Sequence, residues 1–123
     1  MNIGIPREIK PLEGRVALSP EACGDLVHAG HSVFVEHNAG SLSGYFDDVY
    51  EAVGATIAAD AKTVYGEAEL IVKVKEPVAA ELGLLRQDHL LFCFLHLAAY
   101  PELTRRLLDI GLTAIGFETV ETD

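Results

Sequence analysis

Three basic side chains follow apolar runs of the sequence, at places where a β-strand would end. Arg15 lies in a basic loop after the first run, Lys75 closes the run LIVKVK, and His96 follows the run LLFCFL. A guanidinium group binds a carboxylate through two parallel hydrogen bonds, and a lysine ammonium adds a second positive charge. An imidazole can exchange a proton near neutral pH. Together these groups could hold and process a small 2-oxo or 2-amino acid.

Each of these three residues also has a simpler interpretation. Arg15 could brace a surface loop, Lys75 could be a solvated strand end, and His96 could be a hydrogen-bonded core histidine. The residue pattern alone does not decide between these roles. The hypothesis of a shared site therefore depends on whether the fold brings the three segments together.

Five short apolar runs, separated by helical patterns, predict an α/β fold. Strands that alternate with helices indicate βαβ units and a parallel sheet. We expect a three-layer fold with a mostly parallel, five-stranded sheet in the flavodoxin-like order 2-1-3-4-5 and helices on both faces. The predicted strands are residues 2–5, 32–36, 70–75, 90–95 and 112–117, and the predicted helices are 20–29, 46–53, 59–65, 79–85 and 101–110.

This strand order gives the three basic residues a reason to meet. It places strand 1 beside strand 3, and strand 3 beside strand 4, so that the loops at their carboxyl ends converge. Ligands of such sheets bind outside the carboxyl ends of the strands. Within LIVKVK, the alternation puts Lys73 on the same side as Lys75, and we expect both side chains to be partly exposed.

The composition indicates an acidic domain with a sizeable core. Half of the 123 residues are hydrophobic, and 19 acidic residues against nine basic ones give a formal net charge of −10. This charge argues against nucleic acid and anionic membrane surfaces as partners, and no apolar run reaches the roughly 20 residues that span a bilayer. We expect a soluble, cytoplasmic protein. Cys23 and Cys93 lack metal-binding spacing, so we predict buried apolar cysteines and no metal.

Several segments resemble one family of dehydrogenases. They are IGIPREIKPLEGRVALSP at the start, HSVFVEHNAGSLSGYFDDVYEAVGA in the middle, KVKEP and FLHLAAYPEL after the third and fourth predicted strands, and TAIGFETV near the end. In this order they resemble the N-terminal part of the alanine dehydrogenase and pyridine nucleotide transhydrogenase family. The HLAA stretch favours the alanine dehydrogenase branch, because transhydrogenases usually lack a histidine there.

The resemblance implies a role for each of the three basic residues. The residues that match Arg15 and Lys75 bind the carboxylate and carbonyl ends of the substrate, and the residue that matches His96 is the acid/base group. The implied reaction is the reversible, NAD-dependent oxidative deamination of L-alanine to pyruvate and ammonia. For full-length members, the resemblance also implies a homohexamer.

Residues 1–123 would then be the N-terminal catalytic, substrate-binding domain of a longer dehydrogenase. The sequence contains no GxGxxG turn, and the pair Gly40 and Gly44 lacks the strand–turn–helix context of a dinucleotide site. The resemblance puts the NAD-binding Rossmann domain, and a catalytic Asp, after this segment. We therefore expect NAD to be bound by that absent domain, and residues 1–123 to be inactive alone.

Three alternatives remain open. The chain could be the corresponding domain of a transhydrogenase α subunit, which binds no amino acid. It could be a non-catalytic module that binds a small carboxylate in the same cationic cleft. A receiver-like signalling domain is the third, but it would need an acidic cluster after strand 1 and a phosphoacceptor Asp after strand 3. The sequence has basic residues and Lys75-Glu76-Pro77 at those places.

Overall fold

Six parallel strands form one sheet in the part of the chain that the structure describes. The computed structural model describes residues 1–9, 14–75, 77–94, 105–106 and 109–116. The strands run in the order β3-β2-β1-β4-β5-β6, and every neighbouring pair is parallel. Their bounds are β1 Asn2–Ile5, β2 Ser32–Glu36, β3 Thr56–Ala58, β4 Leu70–Lys75, β5 Leu90–Phe94 and β6 Thr113–Gly116.

The predicted α/β fold class and strand order are confirmed, and one strand was missed. The five predicted strands correspond to β1, β2, β4, β5 and β6, which lie in the predicted order. The missed strand, β3, is an edge strand of only three residues that pairs with β2. Three residues are too few to show an alternating or continuous apolar pattern. The predicted ends at Leu95 and Phe117 lie outside the described residues.

The helices begin and end close to the predicted positions. Ser19 caps the first helix, where its hydroxyl accepts a hydrogen bond from the Ala22 N–H at 3.2 Å. Gly30, just beyond the helix end, has a φ of +101°, a conformation that glycine adopts without strain. The helices are α1 Pro20–His28, α2 Asp47–Ala52, α3 Ala61–Glu67 and α4 Ala79–Leu82, with a 3-10 turn at Ser41–Ser43. Residues 105–106 and 109–110 are also helical, inside the predicted helix 101–110.

Two apolar clusters pack on the two faces of the sheet. On one face, α1 and α2 contribute Cys23 and Tyr50 to a cluster with strand residues such as Ile5 and Val33. On the other face, α3 and α4 contribute Tyr65 and Leu82 to a cluster that includes Ile71, Leu91 and Cys93. The three layers are therefore helices, sheet and helices, as predicted.

Both cysteines are buried within these clusters, as predicted. Cys23 and Cys93 are both fully buried. Burial raises the pKa of the Cys23 thiol to about 11, so the thiol is protonated at neutral pH. Cys23 therefore behaves as a small apolar core residue.

Helix α3 packs unusually close to the sheet at Gly4 of β1. A Cβ atom at Gly4 would lie 2.7 Å from the Cβ of Ala68 and 2.8 Å from Cγ1 of Val64. Any larger residue would push α3 away from β1. Among the helices in the described part of the chain, none combines the length and apolar character that a membrane-spanning segment needs.

Candidate functional site at the carboxyl edge of the sheet

Arg15 lines an open cleft at the carboxyl edge of the sheet. The cleft lies between the loop after β1 and the loop after β2, and its volume is about 60 Å³. Arg7 and Arg15 are both exposed, and both line this small space. The lining residues are Arg7, Glu8, Gly14, Arg15, Asn38, Ala39 and Leu42. Arg15 thus lies at the carboxyl edge of the sheet, where ligands of such folds bind.

The segment that carries Arg15 is held at both ends by side chains from the β2–α2 region. The Ser43 hydroxyl donates to the Gly14 carbonyl at 2.8 Å, and the Tyr50 hydroxyl donates to the Leu18 carbonyl at 2.8 Å. These two hydrogen bonds fix the backbone on either side of Arg15. The guanidinium is therefore presented from a braced loop.

The opposite wall of the cleft contains Asn38, which has a positive φ, and is followed by Gly40, which packs closely against Tyr45. Asn38 has a φ of +65°, and its backbone N–H donates to Oδ1 of Asp47 at 2.9 Å. His37 also pairs with the Asp47 carboxylate. Gly40 follows, and a Cβ there would lie 2.6 Å from the Tyr45 carbonyl oxygen. This wall therefore takes its shape from local packing and from one carboxylate that holds two consecutive residues.

Lys75 ends strand β4 at the same edge of the sheet. Its side chain is half-buried, and its backbone N–H donates to Oε1 of Glu8 at 3.1 Å. Glu8 also lines the cleft with Arg15. Glu8 thus lines the cleft with Arg15 and binds the backbone of Lys75. His96 lies outside the described residues, and a site shared by Arg15, Lys75 and His96 stays a prediction.

A β-bulge precedes Lys75. Val72 pairs with Phe92, whereas Lys75 pairs with Phe94, so β4 uses one residue more than β5 over this stretch. A bulge of this kind bends the strand and changes the direction of the side chains that follow it. Lys75 is the last residue of β4, directly after the bulge.

Glu8 is the central residue of this edge, and the sequence interpretation missed it. Its carboxylate is buried and accepts three hydrogen bonds, from Lys73 Nζ at 3.1 Å, the Val74 N–H at 3.0 Å and the Lys75 N–H at 3.1 Å. The two backbone donors belong to the bulge. A signal for Glu8 was present, because it follows β1 directly, and strand 1 was predicted beside strand 3.

The expectation that Lys73 is partly exposed was wrong. Its side chain is only 1 % exposed, and its ammonium lies between two buried carboxylates, Glu8 at 3.1 Å and Glu81 at 2.8 Å. Burial of a charge in this position requires such partners. Glu81 comes from α4, and it also accepts from the Tyr65 hydroxyl at 3.3 Å and the Val78 N–H at 3.1 Å. Among the described residues, every buried side-chain nitrogen and oxygen has a hydrogen-bond partner.

A third buried carboxylate, Glu36, lies at the end of β2. Its Oε1 accepts from the Arg7 N–H at 2.9 Å. Burial raises the pKa of Glu36, the hydrogen bond from Arg7 and the charge of Arg7 lower it in part, and the charges of Asp60 and Glu81 raise it further. Burial, with Glu81 nearby, also raises the pKa of the Tyr65 phenol, which therefore stays protonated and donates to Glu81.

The charges of this edge divide into a buried group and an exposed one. The carboxylates of Glu8 and Glu81 are engaged by Lys73 and by N–H and O–H donors, and the exposed residues Arg7 and Arg15 line the cleft. Such an arrangement suits a small anion with a planar carboxylate. In the described ranges, no group of three or more His, Cys, Asp or Glu side chains could hold a metal ion.

The described residues do not fit a dinucleotide. The turn after β1 reads Pro6-Arg7-Glu8 and lacks the glycines that let a pyrophosphate approach the backbone. Gly40 and Gly44 flank the turn at Ser41–Ser43, and the space beside Gly40 is filled by Tyr45 and Tyr50. Gly40 thus serves internal packing.

Comparisons with known proteins agree with the resemblance noted in the sequence. Residues 4–123 match the family described as alanine dehydrogenase/PNT, N-terminal domain. The chain is 50 % identical to the alanine dehydrogenase of Bacillus subtilis and 48 % identical to that of Methanococcus maripaludis, over 98 % of its own length in both cases. It covers 32 % of each relative, so it spans about a third of their length.

Solved structures give the same result. A structure of L-alanine dehydrogenase superposes with a TM-score of 0.93 at 50 % identity, over 96 % of this chain and 32 % of that one. A transhydrogenase from Sinorhizobium meliloti superposes with a TM-score of 0.86 at 34 % identity, over 96 % of this chain and 35 % of that one. The chain therefore belongs to the alanine dehydrogenase/PNT family, whose N-terminal domain it matches along nearly its whole length.

Proposed function

We propose that residues 1–123 form the substrate-binding part of an NAD-dependent L-alanine dehydrogenase. The reaction is the reversible oxidative deamination of L-alanine to pyruvate and ammonia, as a step of alanine catabolism. The observation that carries the proposal is the cleft at the carboxyl edge, where Arg15 lines the same space as Glu8, and Glu8 binds the backbone of Lys75. Its near relatives bear the name alanine dehydrogenase.

In this proposal, Arg15 and Lys75 bind the substrate from two sides. The guanidinium of Arg15 holds the carboxylate through paired hydrogen bonds, and the ammonium of Lys75 binds the carbonyl oxygen of pyruvate. Two fixed contacts orient the Cα atom, which is the condition for a productive hydride transfer. The braced loop around Arg15 and the bulge before Lys75 support this assignment, because both limit the freedom of the groups that would bind substrate.

His96 is proposed as the acid/base residue that moves protons while the amine leaves or enters. NAD, the hydride acceptor, is proposed to bind to a Rossmann domain outside these 123 residues, since their own turns do not fit a dinucleotide. Residues 1–123 alone would then bind pyruvate weakly and catalyse no reaction. On the basis of the family resemblance, we propose that the complete enzyme is a homohexamer in the cytoplasm. Light scattering can test the oligomeric state.

Two measurements test the proposed function. Titration of pyruvate into residues 1–123 should give weak, saturable heat, with acetone, which lacks the carboxylate, as the control ligand. The complete gene product should oxidise NADH when pyruvate and ammonium are both present. Binding without oxidation would favour a non-catalytic carboxylate module. Failure of both measurements would favour the transhydrogenase alternative, which the similar transhydrogenase structure keeps open.

The coding sequence after Asp123 gives an independent test. A strand, a glycine-rich turn and a helix encoded there would fit the proposed dehydrogenase. A stop codon, with no partner gene for a nucleotide-binding half, would contradict it.

A further inference from the structure

The three donors to Glu8 are unusual because they come from one short stretch of β4. Lys73 donates through its side chain, whereas Val74 and Lys75 donate through their backbone N–H groups. All three lie at the bulge, where the regular pairing between β4 and β5 is interrupted. A bulge leaves backbone groups without their usual partner in the sheet. The Glu8 carboxylate supplies acceptors to two of these groups.

Glu8 also belongs to the loop that leads to Arg15. The residue before it, Arg7, donates its backbone N–H to Glu36 at the end of β2. The start of this loop is thus bonded on one side to β2 and on the other side to β4. Because the cleft is lined by Arg7, Glu8 and Arg15, this double attachment determines where the cleft sits relative to the end of β4.

We propose that Glu8 is a positioning residue that holds the bulge in β4 and thereby sets the place of Lys75 relative to Arg15. This inference rests on the proposed function, in which Arg15 and Lys75 bind one substrate. Glu8 itself need not touch the substrate. Both carboxylate oxygens of Glu8 accept hydrogen bonds from donors of β4. The negative charge of Glu8 would also repel a substrate carboxylate in direct contact with it.

A glutamine cannot replace Glu8 in this role. Oε1 accepts from Lys73 Nζ and the Lys75 N–H, and Oε2 accepts from the Val74 N–H. In Glu8→Gln, the amide NH₂ group would face at least one N–H donor, in either orientation of the side chain. One backbone donor of the bulge would lose its acceptor, and the bulge would shift.

Glu81→Gln is the matched control. Glu81 is a buried carboxylate of the same network, and it also binds Lys73, but its partners in the described part of the chain are Lys73, Tyr65 and Val78 and not the backbone of the bulge. Both variants remove one buried negative charge next to the same ammonium. Glu8 lines the cleft and Glu81 is not among the lining residues, so the KM comparison is combined with the exchange of the Val74 and Lys75 amides, which reports directly on the contacts of Glu8 with the bulge.

The experiment measures pyruvate KM, kcat, the Kd for NADH and the thermal midpoint of the complete gene product. Glu8→Gln should raise the pyruvate KM by about tenfold or more, with the Kd for NADH unchanged. Glu81→Gln should leave the pyruvate KM within about twofold of wild type. Its thermal midpoint should fall by about as much as that of Glu8→Gln, because both variants remove one buried charge beside Lys73. If Glu8→Gln does not fold, Glu8→Asp keeps the charge but shortens the reach, and it should raise the KM in the same direction.

Two outcomes separate this inference from the proposed function. If the wild-type protein turns over pyruvate and the Glu8 and Glu81 variants change the KM equally, the positioning role of Glu8 is overturned while the proposed function stands. If the wild-type protein does not turn over pyruvate, the proposed function is overturned, and this inference with it. Hydrogen exchange adds a direct readout, since the Val74 and Lys75 amides should exchange faster in Glu8→Gln only.

Discussion

The two edges of the sheet use polar side chains in opposite ways. At the carboxyl edge, charged side chains bind one another and are buried, as in the contacts of Lys73 with Glu8 and Glu81. At the amino edge, polar side chains bind backbone carbonyls. Arg86 donates to the Tyr65 carbonyl at 2.9 Å, and the buried His89 bonds to the same carbonyl at 2.8 Å.

The amino edge is also joined by backbone hydrogen bonds between strand starts. The Ser32 N–H donates to the Met1 carbonyl, the Glu69 N–H to that of Asn2, and the Leu90 N–H to that of Glu69. This edge therefore completes the hydrogen bonding of the sheet and of the end of α3. The carboxyl edge places charges in a low-dielectric setting, where each buried charge depends strongly on its partners. The two edges therefore differ in kind: one is held by hydrogen bonds to backbone carbonyls, and the other holds buried charges beside the proposed binding cleft.

The largest expected effect is on stability, at the carboxyl edge. Lys73→Met leaves Glu8 and Glu81 as buried carboxylates without their shared cation, and removal of one partner of a buried ion pair costs about 3–5 kcal/mol. The free energy of unfolding in urea should fall by that amount. Lys62→Met, a change of an exposed lysine in α3, should fall within about 0.5 kcal/mol of wild type. A small loss in Lys73→Met would mean that the buried charges are less coupled than their distances indicate.

The next effect separates binding from stability. Arg15→Ala removes charge-assisted hydrogen bonds worth about 1.5–3 kcal/mol, so the Kd for pyruvate should rise about 10- to 150-fold. Arg86→Ala is the control at the other edge, because it removes the same charge without touching the cleft. Calorimetric titration of both variants checks this. Equal pyruvate binding by wild type and Arg15→Ala would remove Arg15 from the site.

The same Arg86→Ala variant should lose stability but keep its affinity for pyruvate, in contrast to Arg15→Ala. It loses the hydrogen bonds to the Tyr65 and Ala68 carbonyls, at 2.9 and 3.5 Å, and an exposed contact with Asp88. We expect the free energy of unfolding to fall by about 1–2 kcal/mol, since His89 still serves the Tyr65 carbonyl. Pyruvate affinity should be unchanged. A loss of pyruvate affinity in Arg86→Ala would contradict the proposal that the amino edge has no role in substrate binding.

The smallest effect is a pH dependence of opposite sign at the two edges. Burial lowers the pKa of His89 below its ordinary 6.5, so its contribution to stability is lost as pH falls below that value. Burial raises the pKa of Glu36 above 4.5, so stability is lost as pH rises from 4.5 through the raised value. Unfolding measured against pH should therefore show a weaker acid loss in His89→Gln, and a gain at higher pH in Glu36→Gln. If both variants changed the slope of the unfolding free energy against pH in the same direction, this assignment would be contradicted.

The hydrogen bonds of His89 explain why it must be neutral. Its Nδ1 accepts from the Arg86 N–H at 2.8 Å, which requires a lone pair on that nitrogen. The proton then lies on Nε2, which donates to the Tyr65 carbonyl. Protonation of Nδ1 would oppose two donors and break the contact.

The sequence predicted most of the fold, because continuous apolar runs mark buried parallel strands. Strands β1, β2 and β4 have the predicted bounds. Strand β3 was not predicted, because three residues are too few to show a hydrophobic pattern. The burial of Lys73 could not be read from LIVKVK, since its alternation is equally that of a half-exposed strand. Its partners Glu8 and Glu81 come from a loop and a helix elsewhere in the chain. Local pattern carries no information on such pairs.

For the candidate site, strand adjacency was the useful inference. It predicted that the loops after β1 and β4 converge, and in the structure Glu8, from the loop after β1, binds the last two residues of β4. It did not identify Glu8, because a glutamate between Arg7 and Lys10 in a basic segment looks like part of a solvated loop. Only the buried position of the bulge shows why a carboxylate is needed there.

Tyr65 contacts both edges of the sheet. Its carbonyl, near the end of α3, accepts from Arg86 and His89, and its hydroxyl donates to Glu81. The distance between these two groups is fixed by the covalent bonds of one residue. Changes at Arg86 and Glu81 should therefore be non-additive in a double-mutant cycle, although the two side chains serve opposite edges. Non-additive effects would make Tyr65 a thermodynamic link between the amino and the carboxyl edge of the sheet, whereas additive effects would show that the two edges are energetically independent.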